Sequence, residues 1–245
     1  MPILELREVH YRYPGRAAEA LNGVSLAFPG GQRIALIGRN GSGKSTLMLH
    51  CNGILRPQQG EVWLDGQRVT YDRRGLLSLR RRVGLVLQNP DEQLFSASVR
   101  QDISFGPMNL RLDEAEVRQR VQAAADLCDI APLLDRPTHA LSGGEKTRVA
   151  LAGALAMDPM VLIADEVTGG LDPWMRRQAF AIFDRFVDRG RTVVLSTHDL
   201  QTARRWADLV VFMQAGRVAI VAPPEDVFGN PRVSAETGLG EVDLA

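Results

Sequence analysis

A glycine-rich segment that ends in lysine and serine has the residue types of a phosphate-binding loop. Residues 38–45 read GRNGSGKS and match the pattern G-x-x-x-x-G-K-[ST]. They follow an apolar run at 34–37 and precede a helical pattern, which is the order that this loop requires. In such loops, glycines let backbone N–H groups converge on phosphate oxygens, and the following helix adds a favourable dipole. The alternative is a glycine-rich turn that fits by accident.

The lysine and the serine of this loop have separate expected roles. We expect Lys44 to reach the β- and γ-phosphates of a nucleotide and Ser45 to bind Mg²⁺. Lysine is scarce in this chain, because only Lys44 and Lys146 occur among 29 basic residues. Both lie in motifs, so we interpret each as a position that needs a compact ammonium group on a flexible stem.

Two acids follow a second apolar pattern, at residues 161–164. A carboxylate at the carboxyl end of a sheet strand faces the ligand crevice. We therefore expect Asp165 to hold Mg²⁺ through water and Glu166 to orient and polarise the attacking water. The alternative is that the pair only caps a helix.

Two further segments are candidates for contact with phosphate. In LSGGE at 141–145, Ser142 and Glu145 fit a capping box, but the same serine and glycine N–H groups can form an anion site at a helix start. The chain has two candidate anion sites but only one lysine loop. The anion site at 141–145 could therefore serve a nucleotide of a neighbouring chain. His198 follows a strand pattern at 192–196, where it could bind a γ-phosphate; a helix cap or a core position is the alternative.

The elements that must position these residues alternate between strand and helix patterns, which predicts an α/β fold with a mainly parallel sheet. A helical stretch at about 99–141 lies between sheet strands and is interpreted as an inserted subdomain. Its clearest helix is predicted to start at Asp113, with Glu116 completing a capping box. The last residues are predicted to be a mobile tail. Strands or hairpins are predicted at 3–13, 24–28, 34–37, 61–69, 83–87, 160–164, 192–196 and 209–221.

Composition narrows the class of protein. The 245 residues are 45% hydrophobic, which excludes global disorder, and 29 basic residues balance 29 acidic ones, which argues against binding of nucleic acid by general electrostatics. No apolar run reaches the length of a membrane span, and the first ten residues carry charges that do not fit a secretory signal. Cys51 and Cys128 match no metal or redox spacing, which predicts reduced thiols in a cytosolic protein.

The ordered motifs resemble those of the ATP-binding subunit of an ABC transporter over residues 3–228. Residues 38–46 resemble its Walker A loop, Gln88 its Q-loop, 141–145 its signature, 161–166 its Walker B strand, 170–172 its D-loop and His198 its switch histidine. The resemblance implies a P-loop ATPase domain over 1–228, with an antiparallel β-subdomain and a helical subdomain at about 92–142. A short tail at 229–245 would follow.

The resemblance also implies how ATP and Mg²⁺ are bound and hydrolysed. Tyr13 occupies the place of the aromatic residue that stacks on adenine, and Tyr11 is the weaker candidate. The implied catalytic residues are Lys44, Glu166 and His198, and the implied contacts to Mg²⁺ are Ser45, Gln88 and Asp165. The implied nucleotide contacts are Tyr13, Gly38, Asn40, Gly41, Ser42, Gly43, Lys44, Ser45, Thr46, Gln88, Ser142, Gly143, Gly144, Glu145 and Asp172.

A head-to-tail pair of ATPase chains is further implied, with two ATP molecules held between Walker A of one chain and the signature of the other. The partners would be integral membrane coupling and substrate-binding subunits, and the chain would lie at the cytoplasmic face of the cell membrane. The segment QNPDEQLF at 88–95 resembles energy-coupling-factor importers, above all the CbiO-type ATPases of cobalt and nickel uptake. Vitamin importers share much of this segment.

Some features depart from this pattern or fit two interpretations. Glu145 replaces the usual signature glutamine, Val167 the proline after Walker B, and Gly169 is unusual beside the D-loop. Leu94 and Phe95 either dock a membrane partner or anchor the helical subdomain to its own core. The arginines at 73–74 and 80–82 form a solvated face or contact a partner or lipid headgroups.

Two other classes of protein carry phosphate-binding loops. Soluble ABC ATPases of translation or DNA maintenance usually have two nucleotide-binding halves or a coiled-coil insertion, which this chain lacks. The signature and His198 argue against a P-loop kinase. Hydrolysis of ATP without an acceptor would decide between a kinase and an ATPase.

Overall fold

The computed structural model describes residues 2–228 and contains two sheets and a layer of helices. The tail predicted at 229–245 lies outside the described residues. The strands are β1 (Pro2–Tyr11), β2 (Leu21–Pro29), β3 (Arg33–Ile37), β4 (Gln59–Leu64), β5 (Gln67–Arg68), β6 (Val83–Val86), β7 (Val161–Asp165), β8 (Thr192–Ser196), β9 (Leu209–Gln214) and β10 (Arg217–Ala222). The helices are α1 (Lys44–Cys51), α2 (Arg73–Arg82), α3 (Val99–Asn109), α4 (Glu114–Leu127), α5 (Gly143–Leu155), α6 (Pro173–Val187), α7 (Leu200–Trp206) and α8 (Pro224–Phe228).

The six-stranded sheet has the order β10-β9-β3-β8-β7-β6 and determines where the site lies. All its neighbours pair in parallel except the β9–β10 hairpin. Strand β8 is buried along its whole length and β7 along all but its last residue, which explains their apolar runs. The carboxyl ends of β3, β6, β7 and β8 therefore meet at one edge, and the predicted fold class is confirmed.

The second sheet is antiparallel, with the order β2-β1-β4-β5. Its inner face joins α1 and the large sheet in one apolar core that includes Leu4, Phe28 and Leu47. Strand β1 ends at Tyr11, two residues before the predicted end, where the chain approaches Pro14, which has no N–H to donate. Strand β2 begins at Leu21, earlier than predicted, because Leu21 pairs with Tyr11.

Helices α3, α4 and α5 pack together in the stretch predicted to be helical, around a core that includes Ile103, Val121 and Val149. The N–H of Glu116 donates to Asp113 at 2.8 Å, as predicted. The rest of that capping box is wrong, because the Glu116 carboxylate pairs with Arg120, one turn along the helix, at 2.8 Å. None of the helices in the described range is long and apolar enough to span a membrane.

Both cysteines lie within the described range and are free and buried. Burial raises the pKa of the Cys51 and Cys128 thiols, so neither forms a reactive thiolate at neutral pH. In the arginine cluster, Arg80 donates to the Gly53 carbonyl at 3.1 Å and Arg82 to Asp65 at 2.6 Å. The cluster is thus partly tied to its own chain.

Candidate functional site

The phosphate-binding loop connects β3 to α1 and depends on its glycines. Gly38, Gly41 and Gly43 have φ values of 149°, 81° and 105°, which residues other than glycine rarely adopt. A Cβ on Gly43 would lie 2.5 Å from the backbone oxygen of Ala20, whereas one on Gly41 would meet no atom within 4 Å. The loop is therefore tightly packed at Gly43 and open at Gly41.

Two polar side chains lie inside this loop. Lys44 is only 6% exposed, and its Nζ donates to the backbone oxygens of Gly38 at 2.8 Å and Arg39 at 3.3 Å. The Ser42 hydroxyl is buried and has no hydrogen-bond partner among residues 2–228. Since buried polar groups are nearly always paired, a ligand with oxygen atoms, such as a phosphate, fits this loop.

The two acids lie at the carboxyl end of β7, as predicted. Burial raises the pKa of Asp165, while the hydroxyls of Ser45 and Ser196 oppose that rise. Glu166 has a left-handed backbone with φ 49°, which costs an ordinary residue about 1–2 kcal/mol. Its N–H donates to the Ser196 carbonyl at 3.1 Å. This bond to β8 holds the Glu166 backbone in place.

Two other predicted residues converge on Glu166. The Gln88 amide Nε2 donates to Oε2 of Glu166 at 3.2 Å, and Nδ1 of His198 lies 3.5 Å from the same oxygen. The His198 side chain is 69% exposed, so the core alternative is wrong. The cap of α7 is Asp199, which accepts from the N–H of Thr202. The segments that follow β6 and β8 thus bring two predicted residues, Gln88 and His198, to one carboxylate oxygen of a third, Glu166, at the end of β7.

A cleft of about 720 Å³ opens beside these residues. Tyr13 lies on it with its hydroxyl 3.3 Å from Oγ1 of Thr46, whereas Tyr11 contacts Tyr13 and His50 edge-on. The cleft thus brings together the phosphate loop, Gln88, Glu166 and the aromatic ring of Tyr13. Its lining residues are Tyr13, Arg16, Ala17, Ala18, Glu19, Ala20, Asn40, Gly41, Gly43, Lys44, Ser45, Thr46, Gln88 and Glu166.

The LSGGE segment forms the predicted capping box at the start of α5. The N–H of Ser142 donates to Oε2 of Glu145 at 2.7 Å, and the N–H of Glu145 donates to Oγ of Ser142 at 3.4 Å. Ser142 hydrogen bonds and the Arg136 ion pair, at 3.0 Å, hold the pKa of Glu145 below its ordinary value. None of residues 141–145 lines the cleft of its own chain. The structure therefore keeps the two predicted anion sites apart.

Asp172 is also placed away from the cleft. Its carboxylate caps α6 by accepting from the N–H groups of Trp174 and Met175, both at 2.8 Å. Met175 in turn packs on the signature, because a Cβ on Gly144 would overlap its sulfur. Helix α6 thus supports the signature from behind.

Sequence reasoning missed part of the site. Ser196 ends β8 with a buried hydroxyl beside Asp165, and a polar residue closing the apolar run at 192–195 could have indicated it. Residues 16–20 line the cleft although their sequence, RAAEA, gives no signal of binding.

The donor set fits Mg²⁺ bound together with a nucleotide. Ser45, Gln88 and Asp165 supply hydroxyl, amide and carboxylate oxygens, the ligands that this hard cation prefers. Within residues 2–228, no group of three or more His, Cys, Asp or Glu could hold a metal. Mg²⁺ usually keeps waters and phosphate oxygens and needs few protein ligands, so the smaller set is sufficient.

Comparison with known sequences identifies relatives over nearly the whole chain. The model of the ABC transporter family matches residues 21–169. The cobalt import ATP-binding protein CbiO of Rhodobacter capsulatus is 48% identical over 247 residues, covering 100% of this chain and 88% of that protein. The energy-coupling factor transporter ATP-binding protein EcfA of Methanothermobacter thermautotrophicus is 44% identical, covering 97% and 76%.

Solved structures give the same result. CbiO1 of Clostridium perfringens, described as part of the ABC transporter complex cbiONQ, superposes with a TM-score of 0.84 at 41% identity, covering 98% of this chain and 95% of that one. A dimeric ATP-binding cassette in a post-hydrolysis state with ADP and Pi gives 0.81 at 25% identity, covering 90% and 98%. The chain therefore belongs to the ABC transporter family, as an ATP-hydrolysing subunit similar to those of energy-coupling-factor and cobalt importers.

Proposed function

We propose that the cleft binds MgATP and that Glu166 activates the water that attacks it. The observation that carries this proposal is the convergence of Gln88 and His198 on one oxygen of Glu166, beside the phosphate-binding loop. The backbone of Glu166 is fixed, and two side chains from neighbouring strands contact its carboxylate. This carboxylate is therefore suited to orient one water molecule.

Binding uses the loop and the ring beside it. When a nucleotide binds, Lys44 exchanges its bonds to the backbone oxygens of Gly38 and Arg39 for bonds to the β- and γ-phosphates. Tyr13 stacks on adenine. The remaining contacts come from the loop and the start of α1, namely Gly38, Asn40, Gly41, Ser42, Gly43, Ser45 and Thr46.

Hydrolysis uses the ends of β6, β7 and β8. Asp165, Ser45 and Gln88 would hold Mg²⁺, which would supply positive charge to neutralise the phosphates of the nucleotide. Glu166 orients the water and accepts its proton, and His198 donates a hydrogen bond to the γ-phosphate. Gln88 also donates a hydrogen bond to Glu166, so a movement or protonation of the catalytic carboxylate would shift the Q-loop.

A second chain completes each site. The signature residues and Asp172 lie outside the cleft of their own chain, and a dimeric cassette holding ADP and Pi is a structural relative. Ser142, Gly143, Gly144 and Glu145 would then contact the partner chain's nucleotide in a head-to-tail homodimer. We assign the nucleotide-binding domain to 1–228, with the helical subdomain at about 92–142.

The cargo that we propose is cobalt, or nickel. The support is the 48% identity to a cobalt import protein and the likeness to CbiO1. EcfA relatives, whose names specify no cargo, reach 44% identity. A vitamin is the alternative cargo, because vitamin importers share much of the segment at 88–95. The chain would lie at the cytoplasmic face of the membrane, bound to coupling and substrate-binding subunits, without a nucleic-acid partner.

Replacement of Glu166 tests the hydrolytic site. Glu166→Gln should lower kcat by about 10²- to 10⁴-fold, because general-base catalysis is lost, while ATP affinity persists and an ATP-bound dimer accumulates. Lys44→Ala should instead weaken ATP binding in a titration. Glu114→Gln, on the exposed face of α4, is the control. Near-normal hydrolysis by Glu166→Gln would remove Glu166 from this role.

Uptake measurements test the cargo. The membrane proteins that co-purify with this chain would be reconstituted in vesicles, and ATP-driven accumulation of Co²⁺, Ni²⁺ and vitamins would be compared. We expect Co²⁺ uptake that Glu166→Gln abolishes. Uptake of a vitamin alone would refute the metal-ion proposal. If no membrane protein co-purifies with the chain, a soluble ABC ATPase would be favoured.

A further inference from the structure

The second lysine of the chain forms an ion pair that the proposed mechanism does not use. Nζ of Lys146, on the first turns of α5, donates to Oδ1 of Asp91 at 2.6 Å. Asp91 lies in a short 3₁₀ turn, Pro90–Glu92, three residues after Gln88. The Lys146 side chain is 20% exposed and that of Asp91 63%. The pair therefore joins the helix that begins at the signature to the segment that leaves the Q-loop glutamine.

The segment around Asp91 is held as one unit. The side chain of Gln93 accepts from the N–H of Leu87 and donates to the carbonyl of Leu85, both at 3.1 Å, which fixes its far end to β6. Asn89 accepts from the N–H of Asp91 at 3.1 Å. A displacement of Asp91 is therefore transmitted to Gln88 through a short and hydrogen-bonded turn.

Lys146 is fixed to the signature in a similar way. Its backbone N–H donates to the carbonyl of Ser142 at 2.9 Å, while its side chain reaches Asp91. One residue thus contacts the signature serine through its backbone and the Q-loop segment through its side chain. The path from Glu166 runs through Gln88 and Asp91 to Lys146 and Ser142 within a single chain.

We propose that Lys146 and Asp91 are positioning residues that couple the two nucleotides of the dimer. When Gln88 shifts with the state of Glu166 at one nucleotide, the pair shifts the start of α5, which carries Ser142 to the other nucleotide. This inference rests on the proposed roles of Gln88 and Ser142. Neither member of the pair touches ATP, so its loss changes the turnover rate rather than nucleotide affinity.

A double-mutant cycle on the purified full-length dimer tests the coupling. Lys146→Met and Asp91→Asn should each lower kcat by about two- to fivefold, with KM for ATP unchanged and Tm lower by no more than about 4 °C, because an exposed ion pair contributes little to folding stability. The double variant should be no slower than either single variant, because both remove the same interaction. Glu92→Gln is the matched control, since Glu92 lies in the same turn and has no ion pair among the described residues; it should keep the wild-type kcat.

Three results would overturn the proposal: unchanged kcat in both single variants, effects that add in the double variant, or a fall in Tm of more than about 4 °C that accompanies the fall in kcat. Ser142→Arg is measured in parallel to separate this inference from the proposed function. If Ser142→Arg abolishes hydrolysis while Lys146→Met retains the wild-type rate, only the coupling pair is wrong. If Ser142→Arg retains full hydrolysis, the shared site is wrong and the coupling falls with it.

Discussion

At the level of single residues, the catalytic edge places two carboxyl groups next to each other. Burial raises the pKa of Asp165, and the negative charge of Glu166 adds to that rise, while Ser45, Ser196 and Lys44 oppose it. An ionised Asp165 therefore costs folding free energy in the protein without nucleotide. A cation bound at this position offsets the cost, since ligands that bind only the folded state stabilise it.

Asp165→Asn should stabilise the protein without nucleotide and prevent Mg²⁺ from adding to its stability. At pH values below the ordinary pKa range of aspartate, the Asp165 carboxyl is neutral and costs no folding free energy. Because its pKa is raised in the folded protein, the cost in folding free energy appears as pH rises through that raised pKa. The variant should therefore melt higher at neutral pH, by about 2–4 °C for each kcal/mol, and lose this advantage in acid. Thermal denaturation over a range of pH checks both points.

Asp208→Asn is the control with the opposite sign. The Arg33 side chain holds the pKa of Asp208 below its ordinary value, with a bond of 2.7 Å. This substitution should lower Tm at neutral pH, and the loss should fade as acid protonates the wild-type carboxyl. A Tm of Asp165→Asn at or below the wild-type value at neutral pH would contradict the argument.

At the level of elements, Leu94 and Phe95 have different environments at the start of the helical subdomain, although the sequence offered the same two interpretations for both. Leu94 is half-buried and packs on the helical core, so the anchoring interpretation applies to it. Phe95 is 65% exposed and contacts Phe105 edge-on at 4.7 Å between ring centroids. With Met108, which is 64% exposed, they form an apolar patch. The docking hypothesis is thereby restricted to this patch of Phe95, Phe105 and Met108.

Phe95→Ser should uncouple transport without unfolding the chain. Because the ring is mostly exposed, Tm and basal hydrolysis should stay at wild-type values, while co-purification with the membrane subunits and ATP-driven uptake should fall. Leu94→Ser should instead cost about 1–2 kcal/mol of folding free energy, since apolar area leaves the core. Ile54→Ser, at an exposed apolar residue outside the patch, is the control. Unchanged uptake by Phe95→Ser would refute docking at this patch.

Local patterns predicted the elements better than their arrangement. The apolar runs of β3, β7 and β8 and the loop glycines were found to within a residue, because burial on both faces of a strand leaves a continuous apolar signature. The meeting of Gln88 and His198 on Glu166 depends on the strand order β8-β7-β6, in which β6 lies next to a strand far away in sequence. Periodicity carries no information on that order. The Lys146–Asp91 contact depends on tertiary packing for the same reason.

At the level of the whole molecule, the cleft and the signature lie apart within one chain, which predicts that each nucleotide site is built from two chains. Ser142→Arg damages only the signature and Lys44→Ala only the phosphate loop. If sites are shared head to tail, a mixed dimer has one intact site and one that is doubly damaged. We expect partial hydrolysis from the mixture and almost none from either variant alone.

The mixture needs proof that the two chains have exchanged. Native mass spectrometry of differently tagged chains would establish mixed dimers, and ATPase assays on the same samples would follow. Lack of hydrolysis in proven mixed dimers would contradict sites that are shared and act independently.

The placement of the two lysines also makes proteolysis informative. A protease that cleaves only after lysine has two target bonds in 245 residues, one at the start of α1 and one in the first turns of α5. Helical backbone is cut only after local opening, so each cleavage rate measures how often one of these helices opens. Digestion would therefore report separately on the phosphate loop and the signature, with bound ATP slowing the cut after Lys44 first.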